Sequence, residues 1–122
     1  MKVTLYSDGS ARGNPNGPGG YGCILHYIDG NGVLHEREYS AGYVQTTNNR
    51  MEIMAVLDAF RCLKENCSVI LCSDSKYVID ALEKGWAVKW RANGWMRTKS
   101  DKALNVDLWE PLLIETEKHN VS

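Results

Sequence analysis

The sequence predicts a mixed α/β fold, in which a three-stranded antiparallel meander and a parallel fourth strand are flanked by helices. Three observations lead to this fold. Apolar and polar residues alternate near the N-terminus, the apolar period then becomes helical, and a short apolar run follows the helix. Because a strand that follows a crossover helix usually pairs in parallel, the first and fourth strands should lie side by side.

The meander occupies the first third of the chain. KVTLYSD alternates and is predicted to be a strand that ends at Asp8. A turn-rich stretch is expected over residues 9–20. GCILHYID and VLHEREYSAGY then form the second and third strands, joined by the glycine-containing turn of residues 29–32.

The remaining elements are mainly helical. Residues 49–64 carry an apolar face at helical spacing, and SVILCSD is predicted to be a strand buried on both faces. Helical segments are expected at residues 77–82, 86–95 and 105–118. Pro111 lies inside the last of these, and since an interior proline costs about 3 kcal/mol, it predicts a kink or a late helix start.

Composition indicates one globular domain spanning residues 1–122. A formal net charge of −1 gives no overall attraction to nucleic acid, so any such attraction must come from local charge. No stretch approaches the roughly 18 apolar residues of a membrane span, which favours a cytoplasmic protein without a membrane partner. The four cysteines lack zinc-site spacing, and reduced thiols are the simpler interpretation.

The glycine-rich segment GPGGYG, residues 17–22, satisfies the dinucleotide-binding pattern G-x-G-x-x-G. That site requires the pattern to lie between a strand and a helix, so that a helix N-terminus meets the pyrophosphate. Here a strand-like segment follows instead. The sequence therefore predicts no nucleotide cofactor, and a tight turn explains the glycines.

Three acidic residues are expected to converge. Asp8 and Asp74 each end a strand, although either could simply be a turn or cap residue. Glu52 lies on the apolar face of the first helix, where it could instead reach back to the helix start in a capping box with Asn49. Together the three carboxylates would repel each other without a hard cation such as Mg²⁺.

Longer motifs connect these residues to a known family. YSDGSARGNPNGPGGYG, TTNNRMEIMA, SDSKYV, the three spaced tryptophans and NVDLW resemble type 1 ribonuclease H, in that order and over nearly the whole chain. The resemblance implies a ribonuclease H-like five-stranded sheet and endonucleolytic cleavage of the RNA strand of RNA–DNA hybrids, leaving 5′-phosphate and 3′-hydroxyl ends. It also implies two Mg²⁺ ions, with Mn²⁺ as a substitute, and a monomer.

The resemblance also implies roles for individual residues. Asp8, Glu52 and Asp74 match the catalytic, metal-binding acids. Asn14, Asn48 and Asn49 resemble residues that contact the hybrid in its minor groove. Thr47 and Asn105 resemble a pocket for a phosphate of the DNA strand. Lys76 stands where the family often has glutamine, and it is expected to contact nucleic acid.

A basic tryptophan segment, defined here as residues 84–102, could bind the DNA strand through cations and aromatic rings. The rings could equally belong to the core, and we expect a divided role, with rings in the core and cations on the hybrid. The residues concerned are Lys84, Trp86, Lys89, Trp90, Arg91, Trp95, Arg97, Lys99 and Lys102.

The resemblance further predicts that the chain is short at its C-terminus. The family's fifth strand, histidine loop and last helix with a fourth acid are expected to be missing, and His119 is not that histidine. The fourth strand should then be an exposed apolar edge through which a dimer could form. An alternative function follows, namely a weakened nuclease or a hybrid-binding protein without activity. Exonucleases and integrases share acids at strand ends but lack the NNRME and tryptophan patterns.

Overall fold

The computed structural model describes residues 2–11, 17–73, 75–98 and 101–121. These residues form a mixed five-stranded sheet in the order β3-β2-β1-β4-β5, together with four helices. The elements are β1 Lys2–Ala11, β2 Gly17–Ile28, β3 Leu34–Thr46, α1 Asn48–Arg61, β4 Ser68–Ser73, α2 Lys76–Glu83, α3 Trp86–Ala92, α4 Val106–Glu117 and β5 Asn120–Val121. Three residues with predicted roles, Asn14, Asp74 and Lys99, lie outside the described residues.

The predicted strand pairing is confirmed. β2 pairs antiparallel with both β1 and β3, and β1 pairs in parallel with β4. β1 is longer than predicted, because its pairing with β2 continues to Ala11, opposite Gly19. Its pairing with β4 stops earlier, at Ser7 opposite Ser73. The prediction that β1 ends at Asp8 is therefore wrong for the β2 side and holds only for the β4 side.

The glycine-rich segment is a strand, and the prediction of a tight turn there is wrong for residues 17–20. These residues begin β2, with a register irregularity between Gly17 and Gly19. A Cβ atom on Gly19 would lie 2.6 Å from the Thr46 methyl carbon and 2.7 Å from the Ser10 carbonyl oxygen. Close packing against neighbouring strands therefore explains this glycine. As predicted, no helix follows the segment, because β2 continues to Ile28.

The core lies between one face of the sheet and the helices. Val3 and Leu5 of β1 are buried there, and the intervening Thr4 and Tyr6 face the other side. The predicted apolar face of α1 is confirmed, since Ile53, Val56, Leu57 and Phe60 are all buried. Trp109, Leu112 and Leu113 of α4 complete the core. Full burial of one such side chain contributes about 1.5–3 kcal/mol.

The prediction that β4 is buried on both faces is wrong. Val69 is buried, but Ile70 is 54% exposed and Cys72 is also exposed. Described helices cover the sheet face that carries Val69, and the opposite face carries the exposed side chains. A continuous apolar run therefore indicated more burial than β4 has.

The expectation that no fifth strand is present also needs correction. Asn120 and Val121 form a short strand that pairs in parallel with Ser68 and Val69. His119, which directly precedes this strand, also contacts the β4 edge. Its Nδ1 accepts a hydrogen bond from the Cys67 amide at 3.0 Å. The first two residues of the β4 edge are therefore paired rather than bare.

Helix α4 begins at Val106 and includes Pro111, so a late helix start is excluded and the kink stays a prediction. Asn105 precedes the helix in a left-handed conformation with φ of 61°. Within the described part of the chain, no helix has the length and apolar character needed to cross a membrane.

Candidate active site and nucleic-acid interface

Asp8 lies where the central parallel strands separate. It directly follows Ser7, the last residue of β1 that pairs with β4, and its side chain is exposed. Ser7 pairs with Ser73, and Asp74 is the next residue in the sequence after Ser73. The structure thus brings the two strands together as predicted, although Asp74 itself lies outside the described residues.

Helix α1 reaches this position through an unusually close approach to β1. A Cβ atom on Gly9 would lie 2.5 Å from the Met51 carbonyl carbon and 2.8 Å from the Glu52 backbone nitrogen. Real Cβ atoms essentially never approach other atoms below 3.0 Å. Only glycine therefore allows Glu52 to lie beside the backbone that carries Asp8. We call Asp8, Gly9, Glu52 and Ser75 the carboxylate junction.

Glu52 bonds to Ser75 rather than capping its own helix. The Ser75 hydroxyl donates to Glu52 Oε2 at 2.6 Å. The N-cap of α1 is Thr47, whose Oγ1 accepts from the Arg50 amide at 3.2 Å. Ser75 is likewise the N-cap of α2, a role that the sequence left open for Asp74. Thr47 and Ser75 therefore cap the two helices, and Glu52 does not cap its own helix.

A groove opens beside Asp8 on the sheet face opposite the core. Gly22 pairs with Asp8 and Gly20 pairs with Ser10, so the neighbouring strand carries no side chain at either position. The resulting cavity has a volume of about 620 Å³, and Tyr6, Asp8 and Ser40 are among its lining residues. The Asp8 carboxylate is therefore open to solvent.

The donors at the junction fit a hard divalent cation. Carboxylate oxygens are the ligands that Mg²⁺ and Mn²⁺ prefer. The Ser7 hydroxyl is buried beside the junction, and no hydrogen-bond partner for it is present in the described structure. A cation-bound water could satisfy it. The described residues alone contain no group of three His, Cys, Asp or Glu side chains suited to a metal, and the third predicted acid, Asp74, is not among them.

Asn48 and Asn49 lie at the start of α1, near the carboxylate junction. The Asn48 side-chain oxygen accepts a hydrogen bond from the Ala11 amide at 2.5 Å. Its amide NH₂ group is therefore turned away from the strand and can donate elsewhere. Asn49 is exposed and lines a cavity of about 410 Å³ with Tyr77, Trp86 and Trp90.

Thr47 and Asn105, the predicted phosphate pocket, are joined by an arginine. Arg50 follows the cap Thr47 in α1, and its Nη1 donates to the Asn105 side-chain oxygen at 3.0 Å. The same guanidinium binds both carboxylate oxygens of Asp107, at 3.0 and 2.7 Å. This hydrogen bonding lowers the pKa of the Asp107 carboxyl and raises that of Arg50. Arg50 thus contacts both predicted residues, Thr47 through its backbone amide and Asn105 through its guanidinium.

In the basic tryptophan segment, the prediction that the rings belong to the core holds for Trp90 and Trp95 but not for Trp86. Trp90 packs edge-to-face on the buried Trp109, with ring centroids 6.1 Å apart, and Trp95 also contacts the core. Trp86 is 38% exposed, with the Lys84 ammonium 5.3 Å from its ring centroid. Arg91 pairs with Glu117 at 2.6 Å, and Lys89 is exposed. The segment therefore presents one ring and several cations to solvent.

Comparison with known proteins gives the family. The chain matches the RNase H family model over residues 1–122. The chain belongs to the ribonuclease H family. It is 54% identical over 122 residues to a ribonuclease H of Lachnoclostridium phytofermentans, covering all of this chain and 77% of that protein. It is 53% identical over 120 residues to a ribonuclease HI of a Synechocystis strain, covering 98% of this chain and 72% of that protein.

Solved structures agree with this assignment to a family of hydrolytic nucleases. LC9-RNase H1, described as a type 1 RNase H with the type 2 active-site motif, superposes with a TM-score of 0.84 at 31% identity. The match covers 99% of this chain and 60% of that one. LC11-RNase H1, solved in complex with RNA/DNA hybrid, shares the fold with a TM-score of 0.63 at 20% identity, over 98% of this chain and 83% of that one.

Two residues of this ribonuclease H are placed in the site by the structure but are not singled out by the sequence. Arg50 and Ser75 both lie inside the quoted family motifs, TTNNRMEIMA and SDSKYV, which is the only signal the sequence offers for them. An arginine in an amphipathic helix usually faces solvent, and a serine before a helix usually only caps it. Their contacts with Asn105 and Glu52 join residues distant in sequence, and local patterns do not reveal such contacts.

Proposed function

We propose that this ribonuclease H hydrolyses the RNA strand of RNA–DNA hybrids endonucleolytically, leaving 5′-phosphate and 3′-hydroxyl ends. The observation that carries the proposal is the carboxylate junction, where the backbone of α1 at Met51 and Glu52 packs directly against Gly9, the residue that follows Asp8. The names of the curated relatives support the same reaction.

Asp8, Glu52 and Asp74 would hold the divalent cations, two Mg²⁺ or Mn²⁺ ions with substrate. Such ions activate water and stabilise the leaving oxygen of a phosphodiester. The chain's own contribution is to fix the carboxylates before substrate arrives. Ser75 orients Glu52, and Gly9 sets the spacing between α1 and β1.

The hybrid would be recognised along the start of α1. The outward NH₂ group of Asn48 suits the acceptors of the minor groove, where 2′-hydroxyls distinguish RNA from DNA. Asn49 continues this surface into the cavity that it shares with Trp86 and Trp90. Asn14 remains part of the proposed contact surface on the strength of the family resemblance alone.

The DNA strand would be held by phosphate contacts. Arg50 engages the Asn105 oxygen, so the Asn105 NH₂ group is free to donate to a phosphate beside Thr47. Lys76 is exposed at the first position of α2, next to Ser75, where its ammonium can reach a backbone phosphate. Lys89 and Arg91, with the exposed ring of Trp86, would extend these contacts along the basic tryptophan segment.

We also propose that the protein acts in the cytoplasm as a monomer. Its cysteines are free in the structure, in keeping with a reducing compartment. β5 already pairs with part of the β4 edge, so this part of the edge is not available to the strand of a second copy. A sedimentation mass that rises with protein concentration would contradict the monomer.

The test is cleavage of a hybrid with end-labelled RNA, first in Mg²⁺ and then in Mn²⁺. The wild-type chain should cut the RNA at internal positions, and Asp8→Asn should abolish the cuts. Glu110→Gln, which removes one exposed charge on α4, is the matched control and should cut normally. New RNA 5′ ends should accept a kinase label only after phosphatase treatment.

The opposite results are equally clear. Cleavage that persists in Asp8→Asn would show that the carboxylate junction is not the active site. Salt-sensitive hybrid binding without cleavage in either metal would replace the nuclease with a hybrid-binding function, the alternative that the sequence left open.

A further inference from the structure

Ser75 makes contacts that exceed those of a helix cap. Its Oγ accepts a hydrogen bond from the Val78 amide at 3.1 Å and donates to Glu52 Oε2 at 2.6 Å. The residue is 5% exposed, so bulk water does not compete for these bonds. We propose that Ser75 is a positioning residue, whose hydroxyl fixes the rotation of the Glu52 carboxylate for cation binding.

The direction of the bond follows from the donor inventory of serine. A hydroxyl has one hydrogen to donate and two lone pairs. Since the Val78 amide donates to Oγ, the hydroxyl hydrogen is available for Glu52, and a carboxylate oxygen can only accept. Hydrogen bonds from hydroxyl groups to carboxylates are usually short, and the 2.6 Å distance lies in the range typical of them.

One Glu52 oxygen, Oε2, is therefore committed to Ser75, and Oε1 remains as the oxygen that could bind a cation. Ser75 also connects Glu52 of α1 to the end of β4. The Ser75 amide donates to the Ser73 hydroxyl at 3.1 Å, and these two residues flank Asp74 in the sequence. Ser75 thus links β4, the start of α2 and Glu52 through three hydrogen bonds.

This inference rests on the proposed function, because it assigns Glu52 to a cation. The informative substitution is Ser75→Gly, since glycine is nearly as good an N-cap as serine but has no hydroxyl to donate. Ser75→Thr is the matched conservative variant, which keeps both the cap and the donor. Thermal melting and circular dichroism of the three proteins establish that each is folded.

Two measurements test the role. Mn²⁺ binding to the free protein, followed by electron paramagnetic resonance, should weaken about 10-fold in Ser75→Gly, as expected when a ligand loses its supporting hydrogen bond. The Mg²⁺ concentration for half-maximal cleavage should rise by a similar factor, with KM for the hybrid unchanged. Ser75→Thr should restore both values.

The outcomes separate the two proposals. If the wild type binds Mn²⁺ and cleaves hybrid while folded Ser75→Gly behaves identically, the positioning role is wrong and the proposed function stands. If both Ser75 variants lose stability and cation affinity to the same extent, the loss comes from altered packing at this buried position and not from the hydroxyl, which also overturns the inference. If the wild type neither binds Mn²⁺ nor cleaves hybrid, the proposed function itself fails.

Discussion

The carboxylate junction and the basic tryptophan segment serve the same proposed substrate but are built differently. At the junction, backbone meets backbone at Gly9 and Met51, and a buried serine holds Glu52. In the tryptophan segment, the cations lie on the surface and several pair with nearby acids, as Arg91 does with Glu117. The junction is fixed by packing, whereas the cations of the segment form exchangeable surface pairs.

This difference matches the demands of the two tasks. Phosphodiester hydrolysis requires acids held within a fraction of an ångström, which needs a rigid support. Attraction to a polyanion requires only positive charge within reach, because phosphate contacts carry no sequence information. Substitutions should therefore affect geometry at the junction and affinity in the tryptophan segment.

The largest effect is expected for Gly9→Ala. The added Cβ would overlap the Met51 carbonyl group, which is backbone and cannot rotate away. We expect a loss of about 3 kcal/mol in the free energy of unfolding, as in other overpacked sites, and a large loss of cleavage because Glu52 moves away from Asp8. Urea denaturation and the hybrid cleavage assay measure the two effects.

Gly30→Ala is the matched control, since no atom lies within 4 Å of a Cβ at that position. It should change neither quantity appreciably. A Gly9→Ala protein with wild-type stability and cleavage would show that α1 can move away from β1 without cost, and the contrast between rigid and adjustable regions would fail.

A smaller effect is expected for Lys89→Ala. Lys89 is exposed on α3, and among the described residues no acidic side chain pairs with it. Loss of one phosphate contact should weaken hybrid binding and reduce the slope of log affinity against log salt by about 1. Cleavage at saturating hybrid should be retained. Binding titrations at several salt concentrations give the slope.

Arg91→Ala provides the comparison within the same helix. Its guanidinium already binds Glu117, so its removal should change the salt slope less than removal of Lys89 does. Equal slopes for the two variants would mean that the Glu117 pair opens on binding. A lower kcat in Lys89→Ala at saturating hybrid would place Lys89 in the chemistry rather than in attraction.

How far the fold could be predicted depends on the range of each interaction. Alternation in β1 and the apolar face of α1 are local patterns, and both are confirmed by the burial of Leu5 and Phe60. The prediction of a tight turn in the glycine-rich segment is wrong because Gly19 is required by close contacts with Ser10 and Thr46, which lie on neighbouring strands. The burial of β4 is predicted wrongly because an apolar run does not indicate which face of the sheet is exposed to solvent. Ile70 lies on that exposed face.

In the candidate site, too, local patterns predict some features and contacts between residues distant in sequence determine the others. The placement of Asp8 and Glu52 follows from their positions on elements, so the sequence predicts that they converge. The Arg50 contact with Asn105 spans 55 residues and the Ser75 contact with Glu52 spans 23. No local pattern encodes such pairs, and only the folded arrangement of α1, α2 and α4 reveals them.

The smallest effect is expected for Asp58→Asn, further along α1 from the junction. Tyr21, which pairs with Gly9, donates its hydroxyl to Asp58. Burial raises the pKa of the Asp58 carboxyl above its usual range, and Arg61 partly opposes this shift. Folding therefore favours the protonated acid, and this contribution is lost as pH rises from the unfolded value of 3.8 through the folded pKa.

Asp58→Asn should consequently gain roughly 0.5 kcal/mol at neutral pH, because the amide still accepts from Tyr21 without a desolvated charge. The gain should shrink as pH falls towards 4. Asp107→Asn gives the opposite sign, since Arg50 lowers the pKa of Asp107 and its contribution is lost as pH falls through the folded pKa. Denaturation at several pH values should show the change in the free energy of unfolding diverging between the two variants as pH rises, with Asp58→Asn gaining stability and Asp107→Asn losing it.

Gly22 has a consequence for altering this enzyme. Gly22, which pairs with Asp8 from the neighbouring strand, leaves space in the groove beside Asp8 because it carries no side chain. A Cβ at Gly22 would lie 3.7 Å from the Tyr39 carbonyl oxygen, an ordinary contact distance. Substrate access and catalytic geometry can therefore be engineered separately, by replacing Gly22 to narrow the groove while the carboxylates keep their positions.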